Sequence, residues 1–266
     1  IGGGLYSTSG QFATANIAYR NDLWEYDPNA NVWTQKANLL TEFTSGGGSY
    51  EGSGFSVGGN GYLLTGKTKN NAGTEVFANM FQQYDPGTNT WTDKTTAINS
   101  TELKWSSQSA NFTINDIAYV GNGVFNASTN AVSTTISVKW YQYNPTANTF
   151  TAIASYPGTT AICPVAFAAN NTGYLLSSSQ LWKYVPGTDT WTNTNKAFPG
   201  AGSADYARAA FSIGNYGYVG TGVNFAGSSD YNLFYQFDAS TETWGSNIGF
   251  SPWSGLYRAT GFSIAN

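Results

Sequence analysis

One pattern recurs five times along the chain, and it limits the possible folds more than any other feature. Each copy runs from a hydrophobic, aromatic-rich segment through a short turn to a further aromatic residue, and the copies lie 41 to 59 residues apart. They read LWEYDPNANVW (23–33), FQQYDPGTNTW (81–91), WYQYNPTANTF (140–150), LWKYVPGTDTW (181–191) and FYQFDASTETW (234–244). A period of roughly 50 residues is typical of repeat proteins in which each unit is one small sheet that buries its faces against its neighbours.

A second motif precedes four of these copies. In it a Tyr follows a Phe by seven positions, and turn-forming Gly, Asn or Asp residues lie between them. The pairs are Phe55 with Tyr62, Phe112 with Tyr119, Phe167 with Tyr174, and Phe211 with Tyr218. Because Gly and Asn accept the positive φ of tight turns, each pair predicts two antiparallel strands joined by a short hairpin. Together with the two strands of the first motif, each repeat is expected to contain four strands.

Four strands per repeat correspond to one blade of a β-propeller. The sequence resembles the kelch-repeat family, and secreted bacterial kelch proteins in particular. The resemblance lies in the Gly-containing end of the second strand, as in YVGTG (218–222), and in the Tyr and Trp at fixed spacing in the next two strands. It covers essentially the full chain, although the Gly doublet that ends the second strand stands outright only at residues 2–4 and is reduced to Gly-x-Gly or Ser-Ser in other repeats. The resemblance implies a β-propeller fold.

The two ends of the chain complement each other. Residues 1–4 match the end of a second strand with no first strand before it, whereas residues 256–266, LYRATGFSIAN, match a first strand with nothing after it. We therefore predict an all-β, kelch-like β-propeller of five four-stranded blades, closed into a ring by the C-terminal strand, which completes the N-terminal blade. The alternative is a piece of a longer array. No linker interrupts the repeats, so residues 1–266 are predicted to form a single propeller domain.

Composition favours an extracellular or cell-surface protein. Charged residues make up 10% of the chain, below the roughly 25% of an average soluble domain. The net charge of −4 argues against a nucleic-acid partner, because phosphate binding requires a basic surface. No run of about 18 apolar residues predicts a membrane span, and no membrane insertion is expected. The chain begins at Ile1 and its one Met is Met80, so the N-terminus is expected to be processed.

The sequence contains no histidine. This excludes a Ser-His-Asp relay and argues against the usual zinc and copper sites. Some kelch relatives are copper oxidases or sialic acid epimerases, but the oxidases need histidine ligands, and no catalytic set of the epimerases can be matched here residue by residue. We therefore expect no metal, no cofactor and no catalytic residue. Asp27, Asp85 and Asp238 share one turn position and are expected to bind the turn backbone.

The candidate binding face is the one that carries the long loops. Because successive strands alternate in direction, the loop from the second to the third strand and the loop from the fourth strand to the next blade emerge on one face. Variable loops on a rigid scaffold commonly carry recognition. Residues just before the first strand are expected to line the channel mouth there, and the predicted ligand-binding residues are Tyr50, Glu51, Trp105, Asp205, Tyr206, Arg208, Trp253, Tyr257 and Arg258.

Aromatic rings beside Arg and carboxylates suit a sugar or a protein interface. The alternative is that these aromatics fill the channel and the Arg residues pair with neighbouring acids. The segment from Lys67 to Glu75 is expected to be a solvated loop tip. We thus expect a binding or adhesion module for a glycan or a protein. Two other functions stay open: a self-assembling structural unit of a larger surface structure, which would show an apolar patch or a shared strand, and a metal-independent carbohydrate-active enzyme, which would bring two carboxylates to about 5–10 Å.

Overall fold

The structure is a computed structural model that describes residues 2–7, 17–43, 47–200, 207–223, 232–249 and 258–264. The chain divides into two compact units. Unit 1 comprises Ile1–Gln108, Val124–Thr135 and Pro145–Phe150, and unit 2 comprises Ser109–Gly123, Ile136–Asn144 and Thr151–Asn266. No helix among the described residues has the length and apolar content that a membrane crossing requires.

The first two repeats form antiparallel sheets in unit 1. Their strands are β1 (Gly2–Ser7), β2 (Ile17–Asp27), β3 (Val32–Lys36), β4 (Ser53–Val57), β5 (Asn60–Leu64), β6 (Lys67–Lys69), β7 (Glu75–Phe77), β8 (Phe81–Asp85) and β9 (Thr90–Asp93). Strands β1-β2-β3 form one sheet, β4-β5-β8-β9 form a second, and β6 pairs with β7. A 3₁₀ helix (Thr95–Ala97), helix α1 (Thr101–Lys104) and strand β10 (Ser106–Ser107) follow.

The rest of the chain adds three further four-stranded sheets. The strands are β11 (Ala110–Ile114), β12 (Ile117–Gly121), β13 (Val124–Phe125), β14 (Thr135–Ile136), β15 (Trp140–Asn144), β16 (Thr149–Ile153), β17 (Val165–Ala169), β18 (Thr172–Ser177), β19 (Gln180–Val185), β20 (Thr190–Ala197), β21 (Ala209–Ile213), β22 (Tyr216–Gly220), β23 (Leu233–Asp238) and β24 (Thr243–Gly249). A 3₁₀ turn, Pro186–Thr188, separates β19 from β20. The sheet orders are β11-β12-β15-β16, β17-β18-β19-β20 and β21-β22-β23-β24, and β10, β13 and β14 form a small separate sheet.

The four predicted hairpins are confirmed. In each of them the Phe of the first strand lies directly opposite the Tyr of the second. The two rings stack with centroids 5.1–5.4 Å apart, a spacing that aromatic pairs favour. Residues with positive φ occupy the turns: Gly58 and Gly59, Asn115 and Asp116, Asn170 and Asn171, and Gly214.

The turns between the third and fourth strands also follow the sequence pattern. The side-chain Oδ1 of Asp27, Asp85 and Asp238 each accepts a hydrogen bond at 2.8 Å from the backbone N–H two residues later. The residue two positions before the final aromatic adopts positive φ in all five repeats: Asn31, Asn89, Asn148, Asp189 and Glu242. The predicted turn role of the three aspartates is confirmed, and these carboxylates stabilise the scaffold.

Glycines allow close packing between the sheets of unit 2. A Cβ atom on Gly173 would lie 2.2 Å from the Phe112 ring, and one on Gly217 would lie 2.0 Å from the Phe167 ring. Each Phe of one sheet therefore rests on a Gly of the following sheet. Because interiors are close-packed, a side chain at either glycine would displace the aromatic core.

The sheet at the N-terminus has three described strands, as the sequence predicts for a blade without its first strand. Residues 258–264 lie outside any described strand. Blade number, ring closure and a single domain over residues 1–266 stay predictions.

Candidate functional site

Five of the nine predicted ligand-binding residues lie in the described part of the chain. Tyr50, Glu51 and Trp105 belong to unit 1, and Arg208 and Arg258 belong to unit 2. The other four, which are Asp205, Tyr206, Trp253 and Tyr257, lie outside the described residues. The convergence of all nine at a channel mouth stays a prediction.

Two of these residues share an unusual backbone position. The residue four places before the first-strand Phe has positive φ, between 49° and 58°, in five repeats: Glu51, Gln108, Cys163, Ala207 and Arg258. The N–H of Gln108 donates to the Glu51 carbonyl at 2.8 Å, and the N–H of Arg258 donates to the Ala207 carbonyl at 2.9 Å. Positive φ is uncommon for such residues. The hydrogen bond from one repeat to the one before it therefore stabilises the left-handed conformation.

In unit 1, two tyrosines converge on one carboxylate. Tyr19 of β2 and Tyr50 before β4 pack edge to face with ring centroids 5.5 Å apart. Both hydroxyls donate to Glu75 Oε2, at 2.8 Å from Tyr19 and 2.6 Å from Tyr50. Glu75 begins β7, so the hairpin β6-β7 is joined to the two other segments.

Charged neighbours surround these residues. We call the group of Tyr19, Tyr50, Glu51, Lys67, Lys69 and Glu75 the tyrosine–glutamate cluster. Lys69 Nζ lies 5.2 Å from the Tyr19 ring centroid, and Lys67 Nζ lies 5.6 Å from the Tyr50 ring centroid. Both distances are within the range of cation–π attraction. Lys67 Nζ also lies 2.9 Å from Glu51 Oε2, which accepts a hydrogen bond of 2.8 Å from Gln108 Nε2. Most polar groups of the cluster thus bind one another.

The electrostatics of the cluster oppose covalent catalysis by its tyrosines. Burial, and then the hydrogen bond to Glu75, raise the pKa of Tyr19 and of Tyr50 well above the usual range. Both hydroxyls therefore stay protonated near neutral pH and act as hydrogen-bond donors, whereas an activated nucleophile needs a lowered pKa or a free base.

The expectation that Lys67 to Glu75 form a solvated tip is wrong at its two ends. Lys67 and Glu75 are half-buried, and only the middle of the segment, Asn71–Thr74, is exposed. The burial of Glu75 was hard to predict from the sequence, since its partner Tyr19 is 56 positions away along the chain.

In unit 2, a concave pocket of about 400 Å³ lies at the long-loop end of the sheets. The loop after β16 provides one wall and the turn between β18 and β19 provides another. The lining residues are Tyr156, Pro157, Gly158, Thr159, Ser177, Ser178, Gln180, Trp182 and Asn193. This volume lies within the roughly 300–1,000 Å³ of small-molecule sites. This open pocket lies on the kind of loops that the sequence analysis selected.

The aromatic part of the pocket is held rigidly. The rings of Tyr156 and Trp182 meet edge to face with centroids 5.4 Å apart. Tyr156 Oη donates to the Thr159 carbonyl at 3.3 Å, and Ser177 Oγ donates to the same carbonyl at 2.9 Å. Burial raises the pKa of Tyr156 to about 12, so this side chain is neutral at physiological pH.

Arg208 is buried against the turn that forms one wall of this pocket. It is only 7% exposed, and its guanidinium lies 4.9 Å from the Phe198 ring centroid. Its Nη1 donates to the Ser178 carbonyl at 3.4 Å. Arg208 therefore supports the turn that forms one wall of the pocket. Arg258 is exposed.

Trp105 lies between α1 and β10 in unit 1. Lys104 Nζ lies 4.6 Å from its ring centroid, and its carbonyl accepts a hydrogen bond from the Asn126 N–H at 3.2 Å. The ring is half-buried, so part of it is accessible on the surface.

Comparison with known proteins supports the architecture. No family model matches the chain, and no curated protein matches it. A solved structure titled "Structure of YjhT" is similar, with a TM-score of 0.72 and 15% sequence identity over 91% of this chain and 81% of that chain. YjhT is a kelch-type β-propeller-like protein. The chain has a β-propeller-like, all-β fold. At this identity the likeness shows the fold alone.

The sequence analysis missed most of the pocket. The only signal for it is a short aromatic-Pro-Gly segment, Tyr156–Gly158, which recurs as Phe198–Gly200 in the next repeat. The connection between β18 and β19 has only two residues, Ser178 and Ser179. Together these features leave space beside Trp182.

Proposed function

We propose that this chain is an extracellular or cell-surface binding module that recognises a glycan through the long-loop ends of its sheets. The observation that carries the proposal is the pocket beside Trp182, in which aromatic and neutral polar side chains line one cavity. Sites for small polar ligands combine apolar walls with a few well-placed hydrogen-bonding groups. A sugar ring has an apolar face that can pack on the aromatic side chains and several hydroxyls that can bind the neutral polar ones, so it matches this lining.

The tyrosine–glutamate cluster lies at the corresponding connections of unit 1. Tyr50 and Glu51 come from the loop before β4, the lysines and Glu75 come from the β6-β7 hairpin, and Tyr19 belongs to β2. Two lysines, two glutamates and two tyrosine rings there provide hydrogen-bonding groups beside aromatic surface.

Glycan binding is tested directly with the 266-residue chain on a broad glycan array. Hydrogen exchange with and without the best ligand then locates the contact. We expect protection at the long-loop ends, such as residues 154–163 and 178–180, and none at the turns 27–31, 85–89 and 186–189. An empty array overturns the glycan proposal and leaves a protein ligand or a structural role, and protection confined to the turns overturns the choice of face.

The finer architecture is also a proposal: five kelch-type blades, closed by the C-terminal segment. Its support is that Arg258 shares the left-handed position of the four other first strands. A Cβ atom on Gly261 would lie 2.8 Å from the Phe211 side chain, so this segment lies beside β21. Closure predicts slow hydrogen exchange in β1 that becomes fast when residues 258–266 are deleted, whereas equally fast exchange in both chains would contradict it.

A further inference from the structure

We infer that the pocket beside Trp182 is the sugar-binding subsite of this face and that it takes an uncharged sugar ring. The inference rests on the proposed glycan-binding function and deepens it by naming the site and the class of ligand. It uses the nine pocket-lining residues of unit 2, none of which was among the ligand-binding residues predicted from the sequence.

The pocket lining matches the chemistry of a neutral sugar. Gln180 and Asn193 contribute amides, and Thr159, Ser177 and Ser178 contribute hydroxyls. Amides donate and accept hydrogen bonds at once, as sugar hydroxyls do. Trp182 is half-buried, so its ring both packs against Tyr156 and faces the cavity. An indole supplies a large apolar surface at little cost in conformational entropy.

The same lining disfavours an acidic sugar. None of the described lining residues carries a formal charge near neutral pH, since Tyr156 has its pKa raised to about 12. Arg208 directs its Nη1 to the Ser178 carbonyl from behind the wall. A carboxylate that entered the pocket would lose water without gaining a cationic partner, which is unfavourable. The pocket therefore selects against charged rings.

The segment Phe198–Gly200 of unit 2 repeats the aromatic-Pro-Gly sequence of the pocket. Comparing the two segments shows which features of the pocket belong to the repeated scaffold and which could select a ligand. Phe198 meets Tyr235 edge to face at 5.3 Å, as Tyr156 meets Trp182 at 5.4 Å. Gly200 lies against Tyr235 as Gly158 lies against Trp182. The aromatic-Pro-Gly corner is thus a repeated structural element. Specificity for a sugar must come from the residues that differ, chiefly Trp182 and Gln180.

The chain also contains a matched control for Trp182. Trp24 follows Leu23 in β2 as Trp182 follows Leu181 in β19, and each lies one residue into the same repeat motif. Trp24 is 38% exposed and is absent from the lining of the pocket. Substituting it removes an indole from the equivalent strand position without altering the cavity.

The experiment measures binding of methyl glycosides by isothermal titration, using neutral hexoses and N-acetylhexosamines beside glucuronic and sialic acids. The proteins are the full chain, Trp182→Ala, Gln180→Ala and Trp24→Ala, with folding checked by near-UV circular dichroism. We expect Trp182→Ala to weaken binding of the preferred neutral glycoside at least about tenfold, because central aromatic contacts dominate recognition. Gln180→Ala should weaken it about threefold to tenfold, and Trp24→Ala should leave it unchanged.

Each outcome decides one point. Binding of a neutral sugar that survives both Trp182→Ala and Gln180→Ala would overturn this subsite while leaving the proposed glycan function intact. Tighter binding of the acidic sugars would overturn the selection for an uncharged ring. If Trp182→Ala fails to fold, the Gln180→Ala result decides, because Gln180 is half-buried at the first position of β19 and its truncation is less disruptive. If no glycan binds the full chain on the array, the proposed function fails, and the subsite fails with it.

Discussion

The tyrosine–glutamate cluster of unit 1 and the pocket of unit 2 are built from corresponding connections but have opposite character. In unit 1 the link between second and third strands is long and folds into the hairpin β6-β7, whose Glu75 and lysines contact Tyr19 and Tyr50. In the β17-β18-β19-β20 sheet of unit 2 the same link is the short turn Ser178–Ser179, and a cavity of about 400 Å³ lies beside it.

The difference shows how loop length sets the chemistry of a repeat. A long connection brings its own charged side chains back onto the aromatic residues and occupies the space beside them. A short connection leaves the aromatic wall accessible and neutral. The two regions therefore predict different consequences of substitution: stability should depend more on the cluster, and ligand binding should depend on the pocket.

The largest expected effect is a loss of stability at alkaline pH, and both regions contribute to it. Burial raises the pKa of seven tyrosines, namely Tyr19, Tyr50, Tyr84, Tyr119, Tyr156, Tyr174 and Tyr184. Below about pH 10 these phenols are protonated in both states, so stability is unaffected. Above it the unfolded chain loses protons first, and the free energy of unfolding falls. We expect alkaline unfolding coincident with phenolate absorbance, and phenolate formation well before unfolding would contradict this.

Glu75→Ala should disrupt the tyrosine–glutamate cluster and leave the pocket intact. It removes the acceptor of two tyrosine hydroxyls, and hydrogen bonds to charged groups contribute about 1.5–3 kcal/mol each. Because Glu75 is half-buried, we expect a total loss of about 2–3 kcal/mol in urea unfolding, with sugar binding unchanged. Glu25→Ala is the control, since its ion pair with Lys36 at 2.9 Å lies on the surface and should contribute much less to stability. An equal loss of unfolding free energy in both variants would show that the cluster stabilises the fold no more than a surface ion pair does.

Gly158→Ala should affect the pocket. An added Cβ atom would lie 2.4 Å from Tyr156 Oη and 2.9 Å from the Trp182 ring, so both rings must shift. Overpacking of this kind costs about 1–3 kcal/mol, and sugar affinity should fall as well. Gly187→Ala, where nothing lies within 4 Å of the added atom, is the matched control. Calorimetry of unfolding and of binding tests both effects, and wild-type affinity in Gly158→Ala would show that the cavity is not the site.

The smallest effect is expected from Tyr156→Phe. The sequence already places Phe198 at the equivalent corner, and the hydrogen bond of Tyr156 to Thr159 is long at 3.3 Å. We expect a loss below about 1 kcal/mol, against about 1–2 kcal/mol for Tyr50→Phe, which loses a 2.6 Å bond to a carboxylate. Thermal unfolding of the two variants gives the ranking, and a reversed ranking would contradict the contrast between the regions.

The repeat motifs predicted the hairpins and turns because these depend on neighbouring residues. Phe167 and Tyr174 are seven positions apart, and Asp85 binds a backbone N–H two residues away. The binding regions depend on distant residues instead. Tyr19 and Glu75 are 56 positions apart, and the pocket joins a loop near Thr159 to a strand at Asn193. The sequence analysis selected Tyr50 and Glu51 as ligand-binding residues, which stays a prediction, and their partners Tyr19, Glu75 and Lys67 follow only from the fold.

The left-handed residues before each first strand have a consequence for evolution and for design. At this position stand Glu51, Gln108, Cys163, Ala207 and Arg258, which share no chemistry. A chain whose architecture depends on where the backbone turns, more than on which residue turns there, can drift far in sequence and keep its shape. The backbone at these positions should accept glycine, which adopts the left-handed conformation without strain, but at Glu51 and Gln108 the exchange would also remove side-chain contacts of the cluster.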